Sequence, residues 1–318
     1  MAGRAVERAI MRVRLFTIFF LLSLISPLVQ AGDIMQVRRL YDLSITDGKP
    51  LKQPSGAVVG KDGRIYVLDG VNNRVAVFSP AGKFLFDFGK GGDGDGELKF
   101  PLGINVDWIG RVYIADSGNH RVQVFNSEGD YLFKISLPSN GLPKPSDPTD
   151  VAMGSDRNTL YIVDNDNHRI LIYSLSERKM TNSIGGMEVK EKGFRWPFSI
   201  ALDKEGYQYV VDVINTTVRV LSPDGRFTID IGKWGVDKGQ LYRPKGVALD
   251  SKGMVYISDS FLGVVQVFDR DGKFVSAIGG EDGKVRKFVT PARLYIDKQD
   301  RLFVTEMFAN KVSVYKLY

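Results

Sequence analysis

Residues 113–125 read YIADSGNHRVQVF, and close variants stand at residues 66–78 (YVLDGVNNRVAVF) and 161–173 (YIVDNDNHRILIY). In each copy, two short apolar segments flank a polar stretch of the residue types that form tight turns. This pattern predicts two antiparallel strands joined by a short loop. GINVD at residues 103–107 and DYLFKIS at residues 130–136 add one strand on either side of the middle copy, so one unit contains four strands.

The four-stranded unit recurs six times along the chain of 318 residues. A proline opens each unit, at separations of 47 to 49 residues: Pro54, Pro101, Pro148, Pro197, Pro244 and Pro291. An acidic residue follows in phase, at separations of 47 or 48 residues: Asp69, Asp116, Asp164, Asp212, Asp259 and Glu306. One such sheet cannot bury both of its faces, whereas sheets arranged in a ring cover one another. The repeat therefore predicts an all-β fold, a six-bladed β-propeller of four-stranded antiparallel blades.

The sixth unit has only three strands before the chain reaches Tyr318. Residues 35–45 (MQVRRLYDLSI) precede the first unit and are similar to the fourth strands of the other units, such as KFLFDFG at residues 83–89. We therefore expect an N-terminal strand to complete the last blade and close the ring. Residues 32–318 then form a single propeller, without a linker or a second domain.

The first 31 residues are predicted to be a signal peptide. A basic segment ending at Arg14 precedes a run of 15 mostly apolar residues, and Ala31 is the small residue expected at a cleavage site. The run is shorter than the roughly 20 residues that span a bilayer. We expect export to the periplasm or the extracellular space, with Gly32 as the mature N-terminus. An uncleaved N-terminal membrane anchor is the alternative.

Composition excludes several classes of function. The chain contains no cysteine, which rules out disulfides, thiolate zinc sites, iron–sulfur clusters and a cysteine nucleophile. Half of the net charge of +6 lies in residues 1–31, so the remainder carries only +3. That balance does not favour nucleic acid as a partner. We expect a monomer that contacts a membrane only through the N-terminal segment, if that segment is not cleaved.

The units resemble NHL repeats. The resemblance rests on the three segments quoted first, and on the spacer GKGGDGDGELKFPLG at residues 89–103 with its echo GKWGVDKGQLYRPKG at residues 232–246. It covers residues 54–318 and implies that the loop between the second and third strands shares a face with the loop joining successive blades. Members of this family include RNA-binding modules, protein-binding modules and the lyase that completes peptide amidation, so the resemblance implies no single function.

The units differ in the loop between the second and third strands. It is polar in units 1–3, whereas units 4–6 carry Val213-Ile214, Phe261-Leu262 and Met307-Phe308. The arginine that follows this loop also changes: Arg74, Arg121 and Arg169 become Thr217, Val264 and Lys311. We predict that the half of this face formed by blades 4–6 is apolar, aromatic and basic, and that it binds a protein or peptide. The predicted ligand-binding residues are Phe194, Arg195, Trp196, Ile214, Trp234, Tyr242, Arg243, Phe261, Leu262, Met307 and Phe308.

Two further expectations concern this face. Aromatic residues just before a repeat proline are expected to pack between blades: Phe100, Trp196 and Tyr242. Basic residues ring the joining loops and would suit acidic side chains or a C-terminal carboxylate of a partner: Lys52, Lys99, Lys144, Arg195, Arg243 and Lys287.

Enzymatic chemistry is less favoured than binding. His120 and His168 hold equivalent positions in adjacent units, but a catalytic zinc site usually needs three protein ligands and the chain has no third histidine. Asn105 and Asp150 are of the type that binds calcium in a channel, but they do not complete a set. We predict no catalytic residue, no metal ligand and no cofactor. The alternative is a metal-dependent lyase or lactone hydrolase with its site at the channel mouth.

The repeated pair formed by the acidic marker and the arginine five residues later has a structural interpretation. Asp116 and Arg121 are one example. Because the pair recurs in several units, we assign it to loop capping and strand pairing rather than to ligand contact.

Overall fold

The structure, a computed structural model, describes residues 34–138, 144–187 and 193–318. The first two strands of the chain are β1 (Ile34–Met35) and β2 (Arg38–Leu43). Blade 1 contains β3 (Pro54–Val59), β4 (Ile65–Asp69), β5 (Arg74–Phe78) and β6 (Phe84–Phe88). A short parallel pair, β7 (Lys90–Gly91) and β8 (Glu97–Leu98), braces the loop to the next blade. Blade 2 contains β9 (Pro101–Val106), β10 (Val112–Asp116), β11 (Arg121–Phe125) and β12 (Tyr131–Ser136).

The remaining blades repeat this arrangement. Blade 3 contains β13 (Pro148–Met153), β14 (Thr159–Asp164), β15 (Arg169–Ser174) and β16 (Lys179–Gly185). Blade 4 contains β17 (Pro197–Leu202), β18 (Gln208–Asp212), β19 (Thr217–Leu221) and β20 (Phe227–Ile231). Blade 5 contains β21 (Pro244–Leu249), β22 (Val255–Asp259), β23 (Val264–Phe268) and β24 (Phe274–Ile278). Blade 6 contains β25 (Pro291–Ile296), β26 (Arg301–Glu306) and β27 (Lys311–Lys316), with single 3₁₀ turns at Ser117–Asn119 and Met307–Ala309 in the described chain.

The N-terminal segment closes the ring. β2 pairs antiparallel with β27, with Leu43 opposite Val312, and so supplies the fourth strand of blade 6 as the sequence predicts. β1 makes a second connection that the sequence pattern does not reveal. It pairs in parallel with β24, with Met35 opposite Ile278, and becomes a fifth strand of blade 5. The N-terminus therefore links the last two blades.

The core lies between blades. Tyr66, Leu68 and Val77 of blade 1 pack against Ile104 and Ile114 of blade 2 in one of these apolar clusters. Because both faces of the second and third strands are covered by neighbours, every residue of β4 and β5 is buried. The outermost strand β6 instead alternates half-buried and exposed residues along most of its length. No helix in the described part of the chain is long and apolar enough to cross a membrane. The predicted signal peptide, residues 1–31, lies outside the described residues.

Candidate functional site

Two sets of loops lie on one face of the ring, which we call the loop face. The tip loops join the second and third strands of each blade, and the joining loops run from one blade to the first strand of the next. In every blade the two loops are hydrogen-bonded to each other. Examples are Val71 N–H to Lys52 O at 3.2 Å in blade 1 and Ser260 N–H to Arg243 O at 3.0 Å in blade 5. The implied arrangement of the loops is therefore correct.

A buried carboxylate holds each pair of loops together. It is the acidic marker at the end of the second strand, and it accepts the backbone N–H of the residue 17 positions earlier. The donors are Lys52 to Asp69, Lys99 to Asp116, Asp147 to Asp164, Arg195 to Asp212, Tyr242 to Asp259 and Val289 to Glu306. In blade 2 the same carboxylate also accepts Asn119 Nδ2 and Arg121 Nε, at 2.9 and 2.8 Å. The structural interpretation of the Asp/Arg pair is confirmed.

Blades 4 and 5 replace the missing arginine in different ways. In blade 4, Arg219 lies with its Nε 3.4 Å from Asp212 Oδ2. Burial nevertheless raises the pKa of Asp212 to about 6. In blade 5, Asp259 accepts four backbone N–H groups, from Tyr242 (2.6 Å), Arg243 (3.0 Å), Phe261 (3.1 Å) and Leu262 (2.9 Å). One carboxylate thus fixes the backbone beneath the residues that the sequence assigns to ligand binding.

The side chain of the second tip-loop residue points away from the ring in every blade except blade 2, where the residue is glycine. The residues at this position are Val71, Gly118, Asp166, Ile214, Phe261 and Phe308. Ile214, Phe261 and Phe308 are 50, 61 and 58% exposed. Val71 shows that the position is apolar in blade 1 as well, so the tips of blades 1–3 are not uniformly polar as the sequence had indicated. The third tip residue turns inward in blades 1–4, where it is an asparagine bound to the carboxylate.

Three of the predicted site residues are less accessible than the sequence indicates. Leu262 takes the inward position of the asparagine and is half-buried, and Met307 is also half-buried. Phe194 is a clear error in the prediction. It is buried in the cluster that contains Ile170 and Ile200, between blades 3 and 4, and cannot contact a partner.

The aromatic residues before the repeat prolines are exposed, which contradicts the expectation that they pack between blades. Phe100 is 62% exposed and Trp196 is 42% exposed. Both have positive φ angles, of 46° and 69°, which turn their side chains away from the sheet. Trp196 lies against the His168 ring, with ring centroids 5.2 Å apart. Phe100 therefore presents an exposed ring in the joining loop before blade 2.

The joining loop and tip loop of blade 5 form a continuous row of aromatic rings. Tyr242 stacks on Phe261, with ring centroids 4.2 Å apart and an interplanar angle of 29°. The ring centroids of Trp234 and Tyr242 are 6.4 Å apart, and Trp234 is 70% exposed. We call these three residues the aromatic row. Rings stacked at this distance present a rigid apolar surface that loses little conformational entropy on binding.

The loop that carries the aromatic row has a counterpart in the same molecule. Residues 89–101 and 232–244 share the same internal hydrogen bonds. Gly92 N–H and Gly235 N–H each donate to the carbonyl of the leucine six residues later, at 3.1 Å. Gly96 N–H and Gly239 N–H each donate to a glutamine side chain of the third strand, at 2.9 Å. The two loops are therefore equivalent in structure.

The side chains that these two loops expose are different. Where loop 89–101 has Gly91, Asp93 and Lys99, loop 232–244 has Trp234, Val236 and Tyr242. Glycine suits position 235 because the φ angle there is 150°, a backbone conformation that residues with a Cβ rarely adopt. Trp234 and Val236 are not required by the loop, since the counterpart loop keeps the same backbone without them. Their exposure is consistent with a role in binding.

An ion pair crosses the central channel. The channel is lined by the first strands of the blades, and Arg293 of blade 6 reaches Asp150 of blade 3 on the opposite side. Asp150 also accepts Ser199 Oγ–H at 2.9 Å and Ile200 N–H at 3.0 Å. Burial lowers the pKa of the Arg293 guanidinium, and the Asp150 carboxylate lies against it as its counter-charge. Asp150 stands out in the sequence as a residue of the calcium-binding type, whereas its partner Arg293 does not.

The channel does not offer the donor set of a metal site. A cavity of about 170 Å³ is lined mainly by aliphatic side chains, with Asn105 and Arg293 among its polar residues. The carboxylate of Asp150 is already bonded to a guanidinium, and that positive charge opposes a divalent cation. Among the described residues, no group of three or more His, Asp or Glu side chains is placed to hold a metal. The lyase or lactone hydrolase alternative therefore has no ligand set in the described residues.

Both histidines contact the joining loop of the next blade, which is a structural role. His120 and His168 are the last residues of their tip loops, with φ angles of 56° each, and the equivalent residues of the other blades also have positive φ. The Nδ1 atom of His120 lies 2.9 Å from Ser146 O in the next joining loop. Burial is the main cause of the lowered pKa of His168. Both side chains connect one blade to the joining loop of the next, as Asn73 does to Phe100 N–H.

Comparison with known proteins supports the fold and the repeat. The NHL repeat model matches residues 51–78, 98–125 and 146–173. No curated protein sequence matches the chain significantly. The chain is a six-bladed β-propeller in which three units match the NHL repeat.

Solved structures of similar fold include a streptogramin B lyase, at 13% identity and a TM-score of 0.61 over 92% of this chain and 95% of that one. Virginiamycin B lyase from Staphylococcus aureus is similar at 14% identity and a TM-score of 0.62, over 91% of this chain and 96% of that one. A protein of unknown function from Bacteroides thetaiotaomicron is similar at 18% identity and a TM-score of 0.65, over 90% of this chain and 75% of that one. At these identities the likeness concerns the fold alone.

Proposed function

We propose that this chain is an exported, non-catalytic binding propeller that engages a protein or peptide through the loop face of blades 4–6. The observation that carries the proposal is the contrast between the two equivalent joining loops. The same backbone bears Gly91, Asp93 and Lys99 before blade 2 but Trp234, Val236 and Tyr242 before blade 5. A large exposed aromatic side chain that the fold does not need is the usual mark of an interaction surface.

The tip loops extend this surface beyond the aromatic row. Ile214, Phe261 and Phe308 occupy the same outward position in three consecutive blades. Arg195 and Arg243 are exposed in the joining loops of blades 4 and 5. Aromatic residues with arginine beside them are the composition of binding hot spots. The surface is also held rigidly, since Asp259 fixes the backbone of Tyr242 and Phe261 together.

Peptide selection tests the binding function directly. A twelve-residue random peptide library on phage is selected against the purified protein, and Kd values of the recovered peptides are measured by fluorescence anisotropy. Burying a large apolar side chain contributes roughly 1.5–3 kcal/mol. We therefore expect Phe261→Ser and Phe308→Ser to weaken binding by about tenfold or more. Val71→Ser, the same position in blade 1, is the matched control and should leave Kd unchanged.

Two results would contradict the binding function. One is that no recovered peptide loses affinity in Phe261→Ser while that variant still melts like the wild type. The other is stoichiometric zinc or calcium in the purified protein together with lyase or lactonase turnover, which would favour the enzymatic alternative. Asn72 and Asn119 are unsuitable as neutral controls because each is bonded to a buried carboxylate.

Export is tested separately. The proposal rests on the basic and apolar segment of residues 1–31 and on the absence of cysteine, which suits a fold stable outside the cell without disulfides. N-terminal sequencing of the protein recovered from its native cell should give Gly32 as the first residue. An intact N-terminus in the membrane fraction would indicate an anchor, and an intact N-terminus in the cytoplasm would refute export.

A further inference from the structure

Both faces of the ring carry charged residues, some paired and some not. On the face opposite the loop face, Lys61, Lys273 and Lys298 form no ion pair with the described residues. Five arginines on that face do form ion pairs, within and between turns: Arg64–Asp62, Arg111–Asp107, Arg226–Asp224, Arg270–Glu205 and Arg301–Asp297. On the loop face of blades 4 and 5, Arg195, Lys233 and Arg243 form no ion pair with any described residue. Within the described part of the chain, these three cations have no carboxylate partner.

Lys245 is a further cation without an ion pair among the described residues. It lies at the loop-face end of the first strands, which we call the channel entrance. Lys245 directly follows Pro244, at the bulge between Pro244 and Gly246. It is the second residue of its strand and Arg293 is the third residue of its own, so Lys245 lies one residue closer to the loop face. Its Nζ atom lies 3.9 Å from the centroid of the Phe198 ring in blade 4. Lys245 is half-buried, and its ammonium group has no hydrogen bond or ion pair with the described residues.

The groups around Lys245 do not neutralise its charge. Burial, and then the positive charge of Arg243, lower the pKa of Lys245 to about 8. Asp150, one level deeper in the channel, is bonded to Arg293 and to Ser199. A partly buried ammonium without a counter-ion is unfavourable in the free protein and favours an incoming anion.

We propose that the partner is an acidic peptide segment, and that one of its carboxylates binds Lys245 at the channel entrance while its apolar residues lie on the aromatic row. This inference rests on the binding function proposed above and specifies its ligand. The chain itself links the two parts of the site, because Tyr242, Arg243 and Lys245 are within four residues. Arg243 then contributes a second positive charge next to the first.

Aliphatic side chains favour a peptide over single-stranded nucleic acid. Ile214, Val236 and Val289 are at least half exposed on the same face. Bases stack on aromatic rings and their phosphates are bound by cations, but branched aliphatic residues have no such role. They do match the apolar side chains of a peptide. An acidic peptide therefore accounts for the cations, the rings and the aliphatic residues together.

The first test uses the peptides recovered by phage selection. Each Asp or Glu of a recovered peptide is replaced by its amide, and the peptides are measured against the wild type and Lys245→Met. We expect one carboxylate whose loss weakens wild-type binding at least tenfold and has little further effect in Lys245→Met. Lys52→Met is the matched control, since Lys52 lies in the joining loop before blade 1 on the same face and also lacks an ion pair.

The pH dependence of binding provides a second readout that does not need a variant. Between about pH 5 and 8 the ammonium and the peptide carboxylate are both charged, so Kd should be constant. A bound carboxylate raises the pKa, so binding above pH 8 requires proton uptake and affinity should fall by up to tenfold per pH unit. Lys245→Arg stays charged throughout and should give a flat profile to pH 9.5.

Different failures have different meanings. Peptides that depend on Phe261 but not on any carboxylate or on Lys245 would overturn the acidic-partner inference and leave the binding function intact. Peptides indifferent to Phe261 would overturn the binding function itself. Tight binding of a fluorescent uridine twelve-mer, with no peptide recovered, would refute the choice of a peptide partner. If Lys245→Met fails to fold, the pH profiles of the wild type and Lys245→Arg decide.

Discussion

Arg293 and Asp150 form an ion pair across the central channel, and it joins blade 6 to blade 3 on the opposite side of the ring. Neither residue is a marker of the repeat. Both occupy the third position of a first strand, where the other blades have Gly56, Gly103, Ser199 and Gly246. The small residues leave room for the crossing, since a Cβ at Gly56 would lie 2.8 Å from Arg293 Cδ.

Removing one partner of this ion pair should destabilise the ring. Asp150→Asn leaves the guanidinium buried without its counter-charge, and we expect the free energy of unfolding in urea to fall by about 3–5 kcal/mol. The double variant Asp150→Asn/Arg293→Met should lose less than the sum of the single changes. Glu128→Gln, at the exposed pair with Arg64, is the control and should change stability by less than about 1 kcal/mol. Strictly additive losses would contradict a coupled pair.

The two N-terminal strands should contribute unequally to stability. A chain that begins at Gln36 lacks only β1, and we expect it to remain soluble and folded with a lower Tm. A chain that begins at Ser44 also lacks β2, which exposes the edge of β27 and should abolish soluble folded protein. Soluble yield and thermal melts compare the two. Equal melting of both chains would show that β2 does not close the ring.

Asp212 should make stability depend on pH in an unusual direction. Its pKa is about 6 in the folded protein and about 4 when unfolded, so the folded state binds the proton more tightly. Its contribution to stability is present below about pH 4 and is lost as pH rises through 6, a change of about 3 kcal/mol. Asp212→Asn should remove this component, seen in urea unfolding at pH 5, 6, 7 and 8.

The equivalent carboxylate of blade 2, Asp116, provides a comparison for the Asp212→Asn variant. Asp116→Asn leaves Arg121 without its carboxylate and should destabilise the protein at pH 7. Parallel pH profiles for the wild type and Asp212→Asn would show that this carboxylate titrates normally.

Asp259 should control the order of the aromatic row. Asp259→Asn leaves one acceptor oxygen where four backbone N–H groups converge, and we expect a loss of about 1–3 kcal/mol. Because Tyr242 and Phe261 depend on those bonds, the near-ultraviolet circular dichroism should weaken as well. Asp69→Asn, in blade 1, affects no stacked rings and should lower stability without changing that signal. An unchanged spectrum in Asp259→Asn would show that the stack does not need the carboxylate.

The fold can be predicted from the sequence because every blade needs the same residue types at the same positions. Pro244 opens a strand and Asp259 anchors two loops, and the same needs recur in every blade at nearly constant spacing. The strand β2 follows from counting strands, since an open sixth blade needs one more. The two-residue parallel pairing of β1 leaves no comparable pattern.

The site is less predictable because it depends on where side chains point. Phe194 and Trp196 are two residues apart, yet one is buried in the core and the other is exposed by a positive φ. Composition alone does not separate them. The Arg293–Asp150 pair could have been found, because equal positions three blades apart in a ring of six face each other. Trp234 is predicted from the sequence, and its counterpart Gly91 shows that the loop does not need a large side chain there.

The pairing of β2 with β27 also limits when the ring can close as the chain is synthesised. Residues 38–43 are synthesised before blades 1–5, whereas their partner strand at residues 311–316 is synthesised after those blades. The first strand must therefore wait, unpaired, while five blades assemble behind it. Contacts this distant in sequence form slowly. Ring closure is then a late event of folding, and until it occurs the unpaired edges of β2 and β27 are open to aggregation.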